Sequence, residues 1–286
     1  MKREEHPALC ALREAGACAA GCLSAEELRE RMDLNCVPGL ESLLCAAFCY
    51  ANGEEPEETV SRYARGADYH AVVKARLERA ASALEGLYPG RFFRPFADAS
   101  PIPEVWAAAR AGLGRLGKNG LLLTEEAGSW VFLGFLATDA VIESTAGEIV
   151  PCENCGRCLR ACPGGAAGSE PFDGERCLSA LSQKRGELTE KQQALLAENR
   201  ILWGCDRCQT VCPANQDCRA QPLPEFAALP PLTRQDVSLS DRAFRRSFAG
   251  RAFVWRGVQP LRRNFALLEK EVAQDGETRY NQHNRK

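Results

Sequence analysis

The sequence contains no run of eighteen apolar residues, so no segment of it reads as a membrane-spanning helix. Its first residues, MKREEHPALC, lack the apolar h-region and the small-residue cleavage site of a secretory signal, and a cytoplasmic location is expected. No repeat of solenoid period is visible. Histidine is scarce, with three in 286 residues, and the net charge of −2 favours no partner by itself. Charge is nevertheless uneven. From Leu232 onward there are twelve Lys/Arg and six Asp/Glu, a tail of about +6 on a body of about −8. That tail is either a set of solvated helical faces or a surface for an anion such as nucleic acid.

Cysteine is the residue in excess, with fifteen. In a reducing compartment a disulfide framework is a poor explanation, and metal ligation is the better one for those that cluster. Cys10, Cys18, Cys22, Cys36, Cys45, Cys49 and Cys218 lack CxxC spacing. Cys18/Cys22 and Cys45/Cys49 are four apart, a spacing that a helix would place on one face. All seven are read as small buried hydrophobes.

Hydrophobic residues make up 45% of the chain, enough for one large core or two moderate ones. Residues 1–150 read as mixed α/β. ESLLCAAFCY (41–50) and GSWVFLGFLATD (128–139) suit buried strands, while residues 68–87 and PEVWAAARAGLG (103–114) have helical patterning. Residues 151–221 are cysteine-rich and loop-like, with helical stretches near 175–184 and 188–199. Residues 222–286 begin with a proline-marked linker and end in two amphipathic helices, SDRAFRRSFAG and VQPLRRNFALLEKEVA. The expected class is α+β, with a mixed α/β domain, a double-cluster domain and a short helical tail.

Cys152-x2-Cys155-x2-Cys158-x3-Cys162-Pro163 is the bacterial ferredoxin run, in which the fourth cysteine ligates the other cluster. Cys205-x2-Cys208-x3-Cys212-Pro213 is a second such group one ligand short, and Cys177 completes it. Exchanging the fourth ligands assigns Cys152, Cys155, Cys158 and Cys212 to one [4Fe–4S] cluster. Cys162, Cys177, Cys205 and Cys208 then hold the other. Zinc knuckles would need four ligands within each group and no Cys-Pro ending. Two interleaved clusters form a short electron wire, so a reaction centre is expected in the α/β half.

GLGRLGKNG (112–120) nearly matches a P-loop, yet Asn119 stands where a Ser/Thr would hold Mg²⁺ and a helix precedes it. A turn packing a loop against a cofactor is the reading adopted.

YARGADYH (63–70), FADASP (96–101), RAGLGRLGKNGLLLT (110–124), GSWVFLGFLATD, CENCGRCLRACP and WGCDRCQTVCP occur in this order. Together they resemble the epoxyqueuosine reductase family over residues 40–268. The resemblance implies a cobalamin between the α/β domain and a ferredoxin-like double [4Fe–4S] domain. It also implies electrons drawn from an external low-potential donor, and reduction of epoxyqueuosine to queuosine in a tRNA anticodon loop. By the same resemblance Asp98 is the proton donor, a role that a pKa raised by burial would suit. Without the family, Asp98 also reads as a cap of the following helix. Ser61, Leu122, Leu133 and the stretch from Leu178 to Lys184 are implied as cobalamin neighbours. His70 takes a structural or substrate-side role, and Tyr69 is a weaker candidate donor. Family members continue past LRRNFALL into a helical-repeat domain that helps hold tRNA. This chain is therefore expected to be a short form whose tail arginines Arg245, Arg246, Arg262 and Arg263 meet phosphates. Phosphate contacts alone do not select a nucleoside, which keeps open a cobalamin–iron–sulfur reductase of a small molecule. A ferredoxin-type carrier without its own catalysis is the third reading.

Overall fold

The computed structural model describes residues 6–51 and 59–283, with side chains in the last helix described as far as Lys270. Its contacts divide the chain into two compact units, each drawn from three stretches. The first comprises Met1–Asn52, Tyr69–Gly156 and Gln209–Ala227; the second comprises Gly53–Asp68, Arg157–Cys208 and Ala228–Lys286.

The first unit is built on an antiparallel sheet in the order β1-β2-β6-β3. These strands are β1 (Ala19–Ser24), β2 (Ser42–Cys49), β3 (Phe93–Phe96) and β6 (Val131–Thr138). A separate hairpin pairs β4 (Arg115–Leu116) with β5 (Leu122–Leu123). The unit also contains helices α1 (Pro7–Glu14), α2 (Ala25–Leu28), α3 (Tyr69–Leu87) and α4 (Glu104–Arg110). Every residue of β2 is buried, which is why its sequence is a continuous apolar run rather than an alternation. Gly21, Cys45, Phe135 and Phe96 lie in one row across the four strands. On this face Cys45 and Phe135 share a core with Ala107 of α4. The opposite face receives α3, and a Cβ at Gly134 would strike Val73 and have no room beside Leu77.

The second unit is helical: α5 (Arg157–Ala161), α6 (Leu178–Gln183), α7 (Glu190–Glu198), α9 (Arg234–Ser238), α10 (Asp241–Ser247) and α11 (Val258–His283). The short α8 (Arg207–Thr210) falls at the boundary between the stretches of the two units. Thr189 and Thr233 start α7 and α9 with capping boxes. Asn264 of α11 is wholly buried, and its amide donates to the carbonyls of Ser182 and Leu202. Among the described residues no helix is long and apolar enough to cross a membrane.

The paired cysteines four apart do not lie on helices. Cys22 is in β1, and Cys45 and Cys49 are in β2, where residues i and i+4 also share a face. Cys22, Cys45 and Cys49 are buried as expected, but Cys36 is exposed and Cys10, Cys18 and Cys218 are only partly covered. The thiols of Cys49 and Cys218 converge on the Ala220 carbonyl, at 3.6 and 3.9 Å.

Candidate active site and cluster ligands

Asp98 follows β3 by two residues, and both it and Ala99 have left-handed backbone, with φ of 55° and 42°. Two successive non-glycine residues in that region carry strain, which surrounding contacts must hold. Here the contacts converge on one carboxylate. Tyr69 Oη donates to Asp98 Oδ2 at 2.6 Å, His70 Nε2 lies 2.9 Å from the same oxygen, and the Ala99 amide donates to Oδ1 at 2.7 Å. Tyr69 and His70 begin α3, and the Tyr69 ring is stacked between His70 and Phe132 with centroids 4.0 and 4.4 Å away. The α4 cap is Pro103, with no side-chain hydrogen bond, so Asp98 does not cap that helix.

This geometry corrects the expectation of a raised carboxyl pKa. Hydrogen bonding from His70, with Tyr69 and Ala99 behind it, outweighs half-burial and holds Asp98 well below the usual carboxylate range. The side chain is 48% exposed, so it is an accessible carboxylate rather than a buried acid. Glu104, not singled out in the sequence, behaves oppositely. Burial pushes its carboxyl up, with the Asp98 charge adding to the effect, while Ser100 Oγ donates to it at 2.9 Å. The loop after β3 thus carries an ionised carboxylate, and the first turn of α4 a carboxyl that holds its proton more firmly. The only sequence signal for Glu104 was its place in the first turn of α4.

The seven cysteines of the ferredoxin runs and Cys177 form no disulfide among the described residues. Left-handed backbone at Asn154 and Gly156 winds the CENCGRC loop. In the first unit, burial pushes the Cys212 thiol up, and the charges of Cys155 and Cys152 add to the rise. In the second unit, burial pushes Cys205 up to about 11, and the Cys177 charge contributes. Cys162, Cys177, Cys205 and Cys208 all belong to that second unit. Two backbone amides already point at ligand sulfurs: Lys118 N–H at Cys152 Sγ, 3.3 Å, and Ala167 N–H at Cys162 Sγ, 3.4 Å. Soft thiolate donors with backbone N–H groups beside them fit iron–sulfur clusters.

The residues expected near a corrin are placed differently from one another. Leu122 and Leu178 are 3% and 2% exposed and packed into the cores of their units, so their side chains are committed to packing. Ser61 is buried and its hydroxyl donates to Asp206 at 2.5 Å, while Lys184 pairs with Glu175 at 2.6 Å. Leu133 keeps open surface, as do Phe96, Trp106 and Val131 on the same core. That partly exposed apolar set, on the unit that carries Asp98, fits the face of a large apolar ring.

GLGRLGKNG supplies β4 and the turn of the β4–β5 hairpin, and its Gly117 and Gly120 amides donate to Leu121 and Gly117 carbonyls within the turn. Those N–H groups are therefore not free to cradle a phosphate. The tail arginines are also redirected. Arg263 reaches the carbonyls of Leu181, Lys184 and Gly186, and Arg262 those of Val237 and Leu239. Arg245 bonds Asp241 and the Val254 carbonyl, whereas Arg246 is exposed.

Residues 151–215 match the family described as 4Fe-4S double cluster binding domain, and residues 31–99 match Epoxyqueuosine reductase QueG, DUF1730. An epoxyqueuosine reductase of Lactococcus garvieae is 34% identical over 252 residues, covering 84% of this chain and 70% of the relative. A solved epoxyqueuosine reductase with an epoxyqueuosine-modified tRNA-Tyr stem loop superimposes with a TM-score of 0.81 at 25% identity, covering 92% of this chain and 80% of that one. The Bacillus subtilis enzyme, solved with its catalytic aspartate loop swung out of the active site, gives 0.78 at 26% identity, with 92% and 80% covered. With both matched domains and the 34%-identical Lactococcus garvieae relative, the chain belongs to the epoxyqueuosine reductase family.

Proposed function

We propose that this protein is a cytoplasmic, cobalamin- and iron–sulfur-dependent reductase that converts epoxyqueuosine to queuosine in tRNA. The observation that carries the reading is the meeting of Tyr69, His70 and Asp98 on one carboxylate in a chain that also holds the double-cluster cysteine set. When bound, cobalamin supplies low-valent cobalt as the reductant of the epoxide, fed with single electrons from an external low-potential donor through the clusters.

The chain's own residues divide the remaining work. Cys152, Cys155, Cys158 and Cys212 hold one cluster, and Cys162, Cys177, Cys205 and Cys208 hold the other. Loss of an epoxide oxygen as water consumes two electrons and two protons, so the site must move protons. Asp98 is ionised at neutral pH, which makes it a relay rather than a store. It takes a proton from Tyr69 Oη or His70 Nε2, across 2.6 or 2.9 Å, and passes it to the substrate oxygen. Phe96, Trp106, Val131 and Leu133 offer apolar surface to the ring. Exposed Arg246 is available to tRNA phosphate, whereas Arg262 and Arg263 support the fold.

Complementation tests this reading. Expression in a strain lacking its own epoxyqueuosine reductase is expected to replace the epoxyqueuosine peak of tRNA digests with queuosine. An undiminished epoxyqueuosine peak with soluble, cluster-bearing protein present would contradict it.

A further inference from the structure

The β4–β5 hairpin lies against the first ferredoxin run in a fixed register. Leu116 bridges to Pro151, its amide donates to the Val150 carbonyl at 2.9 Å, and the Cys152 amide donates back to Leu116 at 3.0 Å. One residue past the next glycine, the Lys118 amide reaches the Cys152 sulfur at 3.3 Å. The turn has no slack. A Cβ at Gly117 would meet Asn119 Oδ1 at 2.5 Å and the Leu121 carbonyl at 2.8 Å.

Asn119 Oδ1 accepts from the Leu121 amide at 3.3 Å, which fixes the orientation of the side-chain amide. Its Nδ2 is buried, yet among the described residues it has no acceptor. A buried donor left without an acceptor is destabilising, so the position calls for one. The neighbouring group rich in acceptors is the cluster that Cys152 helps to hold, with its thiolates and bridging sulfides.

We propose that the Gly117–Asn119 turn sets the reduction potential of the cluster bound through Cys152. The Lys118 backbone N–H and the Asn119 side-chain amide donate to its sulfurs. Reduction adds one electron to the oxidised cluster and no proton, drawn from a low-potential one-electron donor. The reduced cluster is the more negative state, so these donors favour it and raise the potential. Lys118 and Asn119 are positioning residues, acting through the cluster and touching no substrate.

The inference rests on the ligand assignment above, and that assignment fails separately, as an incomplete iron content in the parent protein. The test is a dithionite titration of the full chain with reconstituted clusters, followed by electron paramagnetic resonance, with no cobalamin present. Asn119→Leu is expected to shift one of the two midpoint potentials negative and leave the other in place. Asn119→Asp should move the same midpoint further, and the shift should persist with Cys177→Ser, which removes the second cluster. Unchanged midpoints, or equal shifts of both, would overturn the proposal. Deuterium double-resonance spectra in heavy water give a check that needs no substitution at Asn119. Strongly coupled exchangeable deuterons are expected on the cluster that survives Cys177→Ser, and their absence would overturn the proposal even if Asn119→Leu proves unstable.

Discussion

Asp98→Asn removes the charge on which Tyr69 and His70 converge and keeps the shape of the side chain. The carboxylate is half exposed, so its hydrogen bonds contribute little net stability, about 1 kcal/mol or less after solvent screening. Folding and iron content should therefore be unchanged. Turnover should not be. Proton transfer by a positioned group is worth ~10²–10⁴-fold, and single-turnover reduction is expected to slow by that factor. The pH dependence has a definite sign. Because the Asp98 pKa is depressed on folding, the stability it adds is fully present above the unfolded carboxyl value near ~3.9. That stability is lost only as pH falls through the lower folded value. Between about pH 5 and pH 8 the group stays ionised, and no limb of the parent rate profile should belong to it. An acid limb near pH ~6 that disappears in Asp98→Asn and survives His70→Gln would refute the relay.

Cys177→Ser should leave about half of the iron bound, with one cluster signal lost and the other kept, as iron analysis and spectroscopy would show. Gly128→Ala forces a left-handed position with φ of 55° and drives a Cβ into the Asn215 side chain and the Ala214 carbonyl, beside Cys212. A loss of about 1–3 kcal/mol in urea unfolding, together with reduced cluster occupancy, is expected. Arg263→Ala removes charged hydrogen bonds that tie α11 to the α6 end. It should cost about 1.5–3 kcal/mol of stability while leaving the salt dependence of tRNA binding unchanged.

Much of the fold could be read because it is written locally. The apolar runs became β2 and β6, and the patterned stretches became α3, α4 and α11. The cysteine runs could be read because cluster geometry constrains spacing directly. What was hidden depends on long-range pairing. Tyr69 and Asp98 are 29 residues apart, Lys118 and Cys152 are 34 apart, and no periodicity connects either pair. A spacing of four does not distinguish a helix from a strand, and it was the apolar run ESLLCAAFCY, not the Cys45/Cys49 spacing, that marked this segment as a strand. Charge is similarly blind to direction: Arg262 and Arg263 look alike in sequence to exposed Arg246, but they turn onto backbone carbonyls. The pKa of Asp98 was misjudged because its partners come from the start of α3, not from its own loop.

The central claim is best tested on the purified chain, loaded with cobalamin, carrying both clusters and supplied with a low-potential reductant. Incubated with an epoxyqueuosine-containing tRNA stem loop and digested for mass spectrometry, it should yield queuosine in proportion to enzyme turnover. Omitting cobalamin should abolish the product. Reduced clusters alongside intact epoxyqueuosine, with cobalamin bound, would contradict the account.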